Sequence, residues 1–385
     1  MDAIYLDYAA TTPVRDEVRD AMAPHFSEAF GNPSSSHRWG RAASAALEGA
    51  RASAAASLGA RTNEIYFVRG GTESDNLAVL GGAARIRAEG GHPTVVVTAV
   101  DHKAVLDAAK EATARNAGRL VVLSVEADGS IDMDGLDAAL QAGPAVVSAM
   151  WVNNETGMVL PVPEIAHRSA EHGALMHTDA VQAVGKLDVR VDQVPVDLLT
   201  VTGHKIYGPK GAGLLYMRTG TAIAPLLHGG GQERSLRPGT EDVAGAVGLA
   251  TAIRLVVEER ESETARLASL RDQLESSLSQ ALGNIRINAG HATRAPHVSS
   301  IAVPGVDGAA LLMALDLEGI AASGGSACNS GASAGSHVIA ELYGADDPNA
   351  TVRFSLGRGT TIEHVQRAVT TTTEIVNRLR EDASS

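Results

Sequence analysis

The sequence predicts an α/β protein: a large domain with a mostly parallel sheet, followed by a smaller α+β domain. Three observations predict it. Short Val/Ile/Leu-rich runs alternate with Ala/Leu-rich helical patterns through the first two thirds of the 385 residues. Those runs are apolar on both sides instead of alternating, the pattern of parallel strands covered on both faces. After about residue 255 the order of elements changes, and strands and helices no longer alternate strictly.

In chain order the candidate strands of the large domain are EIYFV (64–68), TVVVTAV (94–100), RLVVLSV (119–125), AVVSAMWV (145–152), ALMH (174–177), DLLTV (197–201) and GLLYM (213–217). Helical patterns lie between them at about 74–88, 105–115 and 163–171, the last closed by Gly173 as a C′ glycine. One long, polar-faced helical pattern runs from about Asp242 to Ala281 and leads to the second domain. That domain reads as strand 285–288, strand 297–303, helix 308–318, a glycine-rich stretch 323–336, strand 351–356 and a final helix over about 361–380. The expected division is 16–255 for the large domain, with 1–15 and 256–385 forming the small one. The stretch 323–336 has nothing that could pack a core. Its composition defaults to a flexible loop, and Cys328 sits inside it.

Composition excludes several function classes. Cys328 is the one cysteine, so an intrachain disulfide, a CxxC zinc site and an iron–sulfur cluster held by this chain alone are ruled out, and no metal site is expected. A net charge of −13 with 3% aromatic residues fits neither nucleic-acid backbone nor stacked bases. No apolar run approaches the roughly 20 residues of a membrane helix, and the start MDAIYLDYAATTP carries no signal-peptide pattern. The expectation is a cytoplasmic protein with no nucleic-acid or membrane partner.

In open α/β sheets ligands bind beyond the carboxyl ends of the strands. The residues just after the candidate strands are therefore informative: Arg69-Gly70-Gly71-Thr72-Glu73-Ser74, Asp101-His102-Lys103, Asn153-Asn154-Glu155, Asp179 with Gln182, and Thr202-Gly203-His204-Lys205. Five strand ends place polar, titratable or glycine residues on one rim. Glycines and a hydroxyl at a helix start suit a phosphate, although GGTES is neither a Walker loop nor the dinucleotide fingerprint and also reads as a tight strand–helix turn. Lys205 follows a buried strand in a chain with only five lysines, and a desolvated lysine can form a Schiff base. A surface position suits Lys103, Lys110, Lys186 and Lys210 better. Asp179 is either a buried carboxylate in need of a cation, such as a protonated pyridine nitrogen, or a helix N-cap. His102 is a rim histidine or a cap on a ring. Arg353, inside TVRFSL, is an edge-strand residue or a fork aimed at a carboxylate. The basic, glycine-rich run GGGQERSLRPGT (229–240) after His228 is longer than a turn requires and could reach a ligand or a neighbouring subunit.

Taken together these positions resemble the cysteine desulfurases of the NifS/IscS type, pyridoxal-phosphate enzymes of the class V aminotransferase group. The resemblance runs from Tyr5 to about Leu379. It is carried by YLDYAATTP (5–13), FGNPSSSH (30–37), GGTESDNLA (70–78), DHKAV (101–105), VNNETG (152–157), HTDAVQAVGK (177–186), TGHKIYGPKG (202–211), HGGGQERSLRPGT (228–240), SGGSACNSG (323–331) and VRFSLGR (352–358). It implies the aspartate-aminotransferase-like fold, fold type I. It also implies that Lys205 binds pyridoxal 5'-phosphate covalently, Asp179 pairs with the ring nitrogen, Gln182 bonds the ring hydroxyl, and His102 stacks on the ring and moves protons. Gly71, Thr72, Thr202 and His204 would hold the phosphate. Thr240 would reach the phosphate of the other subunit of a homodimer. Asn154 would contact cofactor and substrate, and with Arg353 orient the substrate carboxylate. Cys328 would be the nucleophile that takes sulfur from L-cysteine as a persulfide and passes it to an acceptor protein, an iron–sulfur scaffold or a thiolation protein. The GSAC context matches the longer-loop subgroup. TGHK stands where SGHK is commoner, GGT where GAT is, and Val181 where Thr is usual. A selenocysteine lyase, another class V enzyme, or a silent protein that kept the fold are the alternatives. An ordinary aminotransferase would survive Cys328→Ala, and a silent protein would lack an absorbance band removed by Lys205→Ala.

Overall fold

A computed structural model describes residues 3–324 and 335–384 of the chain. Seven strands form the central sheet: β2 (Ile65–Val68), β3 (Thr94–Thr98), β4 (Arg119–Leu123), β5 (Ala145–Ser148), β6 (Leu175–Asp179), β7 (Leu198–Thr202) and β8 (Gly213–Met217), with β1 (Ile4–Tyr5) lying outside it. Their spatial order is β2-β8-β7-β6-β5-β3-β4. Strands β7, β6, β5, β3 and β4 are mutually parallel, whereas β8 runs antiparallel to both β7 and β2. Helices Lys103–Asn116, Met133–Gln141 and Val162–Glu171 make the crossovers between successive parallel strands. All five parallel strands therefore end on one rim.

The expected strands are present, with differences in extent. In the 145–152 run the strand ends at Ser148, while β6 extends two residues past the expected end to include Asp179. Gly173 has φ 65°, a conformation a glycine adopts without a Cβ clash, as expected after helix Val162–Glu171. The apolar run of β4 is not covered on both sides: β4 is an edge strand and Val122 is 51% exposed. Periodicity cannot tell an edge strand from a central one, because strand order is a property of the sheet.

The helical pattern expected to run unbroken from 242 to 281 is two helices, Val243–Glu258 and Arg260–Leu282. No Gly or Pro marks the break at Glu259. A tertiary contact does: the Glu259 carboxylate is held by both nitrogens of the Arg15 fork at 2.8 and 2.9 Å. Helix Arg38–Leu58, absent from the expected elements, is built mostly of Ala, Ser, Gly and Arg. It buries its small residues, Ala43, Ala50 and Ala54, on helix Val243–Glu258.

Beyond the large sheet, β9 (Arg286–Ile287), β10 (Val298–Val303) and β12 (Ala350–Ser355) form an antiparallel sheet of order β12-β10-β9. A short strand, β11 (Ile320–Ala321), pairs in parallel with β1. Apolar burial falls into separate clusters. The largest lies beneath the central sheet and includes Leu199, Val201, Leu214 and Ile253. A second joins Ile4 and Leu6 to Leu274, Ile301, Phe354 and Val376. The first residues of the chain thus pack with its last third. Among the described residues no helix is long and apolar enough to cross a membrane.

Candidate active site

A cavity of about 300 Å³ opens at the rim where the parallel strands end. Its wall carries Gly71, Thr72, His102, Asn154, Asp179, Gln182, Thr202, His204, Lys205 and Arg353, ten of the twelve residues expected at the site. Thr240 is exposed and does not line this cavity. Cys328 lies outside the described residues.

Each strand end supplies a different chemistry. After β2 the chain turns through Gly70, at φ 139°, into the 18-residue helix Gly71–Ala88, whose first turn has no side-chain cap. Free N–H groups at such an end attract an anion. The turn is tight: a Cβ on Gly213 at the start of β8 would come 2.7 Å from Gly70 Cα, so this contact requires glycine. A Cβ on Gly71 would sit 4.0 Å from Thr202 Cβ, which sets Thr202 beside the open helix end.

Lys205 closes the 3₁₀ turn Gly203–Lys205 after β7. Its Nζ donates to the carbonyls of Ala9 and Ala10 at 2.7 and 2.6 Å, so the YLDYAATTP segment holds the amine in the cavity. His204 meets Thr11 Oγ1 through Nδ1 at 3.2 Å. Burial, with the Lys205 and Lys210 charges behind it, pushes the His204 ring down to about 4, so it is neutral at pH 7. Lys186 is not the surface lysine that the sequence suggests. It is half-buried, its Nζ donates to the Lys205 carbonyl at 3.1 Å, and burial and the Lys205 charge bring it down to about 8. Lys103 stays exposed, as expected, at the edge of the same cavity. Lys186 departs from the expectation because a neighbouring segment, not its own, buries it.

Asp179 ends β6, 7% exposed, with Oδ1 accepting the Val181 N–H at 2.9 Å. Burial pushes its carboxyl up, and the His102 and Lys205 charges pull the other way. Such a carboxylate gains most from a cation brought into the cavity. His102 caps helix Lys103–Asn116, its Nδ1 accepting the Ala104 N–H at 3.1 Å. A neutral His102 then carries its proton on Nε2. Gln182 gives one amide proton to Ala9 O at 2.9 Å, and its Oε1 meets His297 Nε2 at 3.1 Å, which leaves one donor.

Arg353 enters from the other sheet, in the middle of β12, and is 1% exposed. Its guanidinium donates to Asn154 O at 2.7 Å and to Asp7 Oδ1 at 2.7 Å. It is the inward-aimed fork of the two readings the sequence leaves open. Asn153 is a scaffold for Asn154: its Oδ1 accepts from Glu155 N, Thr156 N and Thr156 Oγ1.

Several residues of this wall lie outside the set expected from sequence. Asp75 lies one helical turn after Gly71, buried, with Oδ1 lacking a hydrogen-bond partner and His177 Nε2 3.7 Å away. Burial, and then the Asp179 charge, hold its carboxyl well above the usual range. The spacing i, i+4 from Gly71 is the signal that could have found it. Met150 and His337 give no local signal, because the elements that bring them in are distant in sequence.

The residues present fit pyridoxal phosphate on three counts. An uncapped helix end with Thr72 and Thr202 beside it suits the phosphate, buried Asp179 calls for a cationic ring nitrogen, and the Lys205 amine is delivered into the same cavity.

The seven-stranded, mostly parallel sheet with its ligand rim defines an aspartate-aminotransferase-like protein of fold type I. The pattern of the aminotransferase class-V family matches residues 4–368, and the chain belongs to that family. Within it, the chain is 40% identical over 378 residues to a protein named cysteine desulfurase IscS from Dictyoglomus turgidum, covering 98% of this chain and 95% of that one. It is also 40% identical over 385 residues to cysteine desulfurase NifS from Azotobacter vinelandii, covering 99% and 94%. A solved structure described as a NifS-like protein superposes with a TM-score of 0.90 at 32% identity, covering 98% of this chain and all of the other. The chain groups with the IscS and NifS type.

Proposed function

We propose that this chain is a pyridoxal-phosphate-dependent cysteine desulfurase that converts L-cysteine to L-alanine and carries the sulfur on Cys328. The observation that supports it most is the meeting of Lys205, Asp179 and His102 with Arg353 in one cavity. When bound, pyridoxal phosphate supplies an electron sink next to the substrate α-carbon.

The chain's own residues do the rest. Lys205 anchors the cofactor and its amine is available to move a proton at the substrate α-carbon. Asp179 keeps the ring nitrogen protonated by offsetting its charge. Gly71, Thr72, Thr202 and His204 hold the phosphate, His204 as a neutral donor. Arg353 and Asn154 bind the substrate carboxylate, the guanidinium by its fork. His102 carries a proton between the substrate and solvent. The Cys328 thiolate attacks the substrate sulfur, forming an S–S bond while the carbon–sulfur bond breaks. The carbon keeps that electron pair and takes a proton, which gives alanine with no external oxidant or reductant. The persulfide then passes to an acceptor protein, of the iron–sulfur scaffold or thiolation kind. No second cysteine is present to resolve it.

The reading includes a homodimer in which exposed Thr240 completes the phosphate site of the other subunit, and a cytoplasmic setting that keeps Cys328 reduced. It also keeps the two-domain division at 16–255 against 1–15 with 256–385, which the separate apolar clusters support. The test is to incubate the purified holoenzyme with L-cysteine and measure alanine together with a persulfide on Cys328. Bound cofactor with neither product would overturn the reading. Turnover that persists in Cys328→Ala would point to an ordinary class V transferase.

A further inference from the structure

We propose that His297 is a positioning residue: it donates to the Gln182 side chain and so aims the remaining Gln182 N–H at the ring hydroxyl oxygen of the bound cofactor. The effect on the cofactor rests on the pyridoxal-phosphate reading; the tie between the two side chains does not.

Three distant segments meet at the Gln182 amide. Gln182 follows β6 and is 4% exposed, and its Nε2 donates to Ala9 O at 2.9 Å. A carbonyl oxygen only accepts, so the NH2 side of the amide faces Ala9 and Oε1 is left for another partner. That partner is Nε2 of His297, the residue before β10, at 3.1 Å. The His297 ring is 2% exposed, and its Nδ1 has no hydrogen-bond partner among the described residues. A proton on Nδ1 would be buried unpaired and would set a bare Nε2 against Oε1, two unfavourable contacts at once. The proton therefore sits on Nε2 and is donated to Gln182. A charged ring is excluded as well. Burial, with the Lys186, Arg353, Arg271 and Lys205 charges around it, holds the imidazole well below its usual value, so it stays neutral.

His297 is itself held. Its carbonyl accepts the Leu356 N–H at 2.8 Å, just past β12, and Arg271 Nη1 donates to Ala295 O at 3.0 Å. The tie thus runs from the sheet that carries Arg353 to the segment that carries Asp179. Ala9 O also accepts Lys205 Nζ at 2.7 Å, so its hold on Gln182 is shared. His297 is the tether that Lys205 does not share. One N–H of Gln182 is left over, in a side chain that lines the cavity. The cofactor's ring oxygen carries more negative charge once the neighbouring lysine-bound nitrogen has lost its proton. A hydrogen bond to that oxygen therefore lowers the pH of that loss, and a loosened Gln182 raises it.

The experiment titrates the absorbance of the lysine-bound cofactor in the holoenzyme. His297→Phe removes the donor and should raise the midpoint by about 0.5 pH unit or more. His297→Asn, whose amide stops short of Oε1, should give the same rise without a larger side chain. His297→Gln returns an N–H near the place of Nε2 and should stay within about 0.2 unit of the parent. Asp179, His102, His204, Lys103 and Lys186 line this wall or back it and remain in every variant, and replacing a neutral His297 takes no charge from among them. In a Gln182→Leu background His297→Phe should shift the midpoint no further. Parent-like midpoints in both His297→Phe and His297→Asn, or an equal further rise in the Gln182→Leu background, overturn the proposal. A second readout needs no cofactor. In urea unfolding of the full chain without cofactor, the losses from His297→Phe and Gln182→Leu should not add, and the double variant should unfold within about 10% of the denaturant midpoint of the weaker single variant. Additive losses overturn the tie. A chain that takes up no pyridoxal phosphate overturns the cofactor reading and this role with it, while the urea comparison still decides the tie.

Discussion

The two sheets build the same cavity in different ways. The seven-stranded sheet contributes from its ends: Asp179 is the last residue of β6, Thr202 the last of β7, and Lys205 follows within one turn. The three-stranded sheet contributes from its middle, sending Arg353 inward from β12 with its backbone still paired to Ser300. Strand ends in a parallel sheet have free space beyond them, so polar side chains there meet a ligand at little cost. A mid-strand arginine must be desolvated, and Arg353 is tolerated because Asp7 and Asn154 O accept its hydrogen bonds.

Substitutions can break this contrast. Lys205→Ala, at the strand-end site, should lower alanine production by about 10³ or more and abolish the absorbance of lysine-bound cofactor. A variant that keeps either would remove Lys205 from its role. At the mid-strand site, Arg353→Lys keeps the charge but loses the fork. It should leave cofactor absorbance unchanged while raising the half-saturating L-cysteine concentration about tenfold. An unchanged concentration would mean that Arg353 serves Asp7 and the fold alone.

His177, under the rim on β6, sharpens the comparison through pH. It is fully buried between Ser148 Oγ at 2.8 Å and Thr200 Oγ1 at 2.9 Å, and burial pushes its ring down from 6.5 to about 3. In the range between those values the unfolded chain takes up a proton that the native state refuses. This contribution to stability is therefore present above 6.5 and is lost as pH falls. Urea unfolding should show stability falling with pH by about 1.4 kcal/mol per unit from this group, and His177→Gln should reduce the slope by that amount. Neutral His204 acts in the same direction. The smallest effect belongs to the sheet edge: Val122→Thr, half exposed, should change stability by no more than about 0.5 kcal/mol. Val96→Thr, fully buried in β3, buries a hydroxyl and should cost about 1–3 kcal/mol. Equal costs would contradict the placement of β4 at the edge.

The difference between the sheets also explains what was legible. The strand-end residues could be found because strand and rim residue are adjacent in sequence: DLLTV is followed by TGHK, and TVVVTAV by DHK. Arg353 could be placed on a strand but not aimed, since its partners Asp7 and Asn154 are 346 and 199 residues away. Lys186 departs from its expected surface position for the same reason. Nothing near it in sequence announces that its amine reaches the Lys205 carbonyl.

By itself the sequence determined the parallel α/β class, the rim of reactive residues and the single thiol, because periodicity, turn chemistry and residue identity are local properties. Only the tertiary structure decided that β4 is an edge, that the helical pattern 242–281 breaks at Glu259 where Arg15 holds it, and that Ile4 and Leu6 pack with the last third. Each of these depends on which distant groups satisfy a buried charge or an unpaired hydrogen-bond donor, and no local pattern encodes that choice.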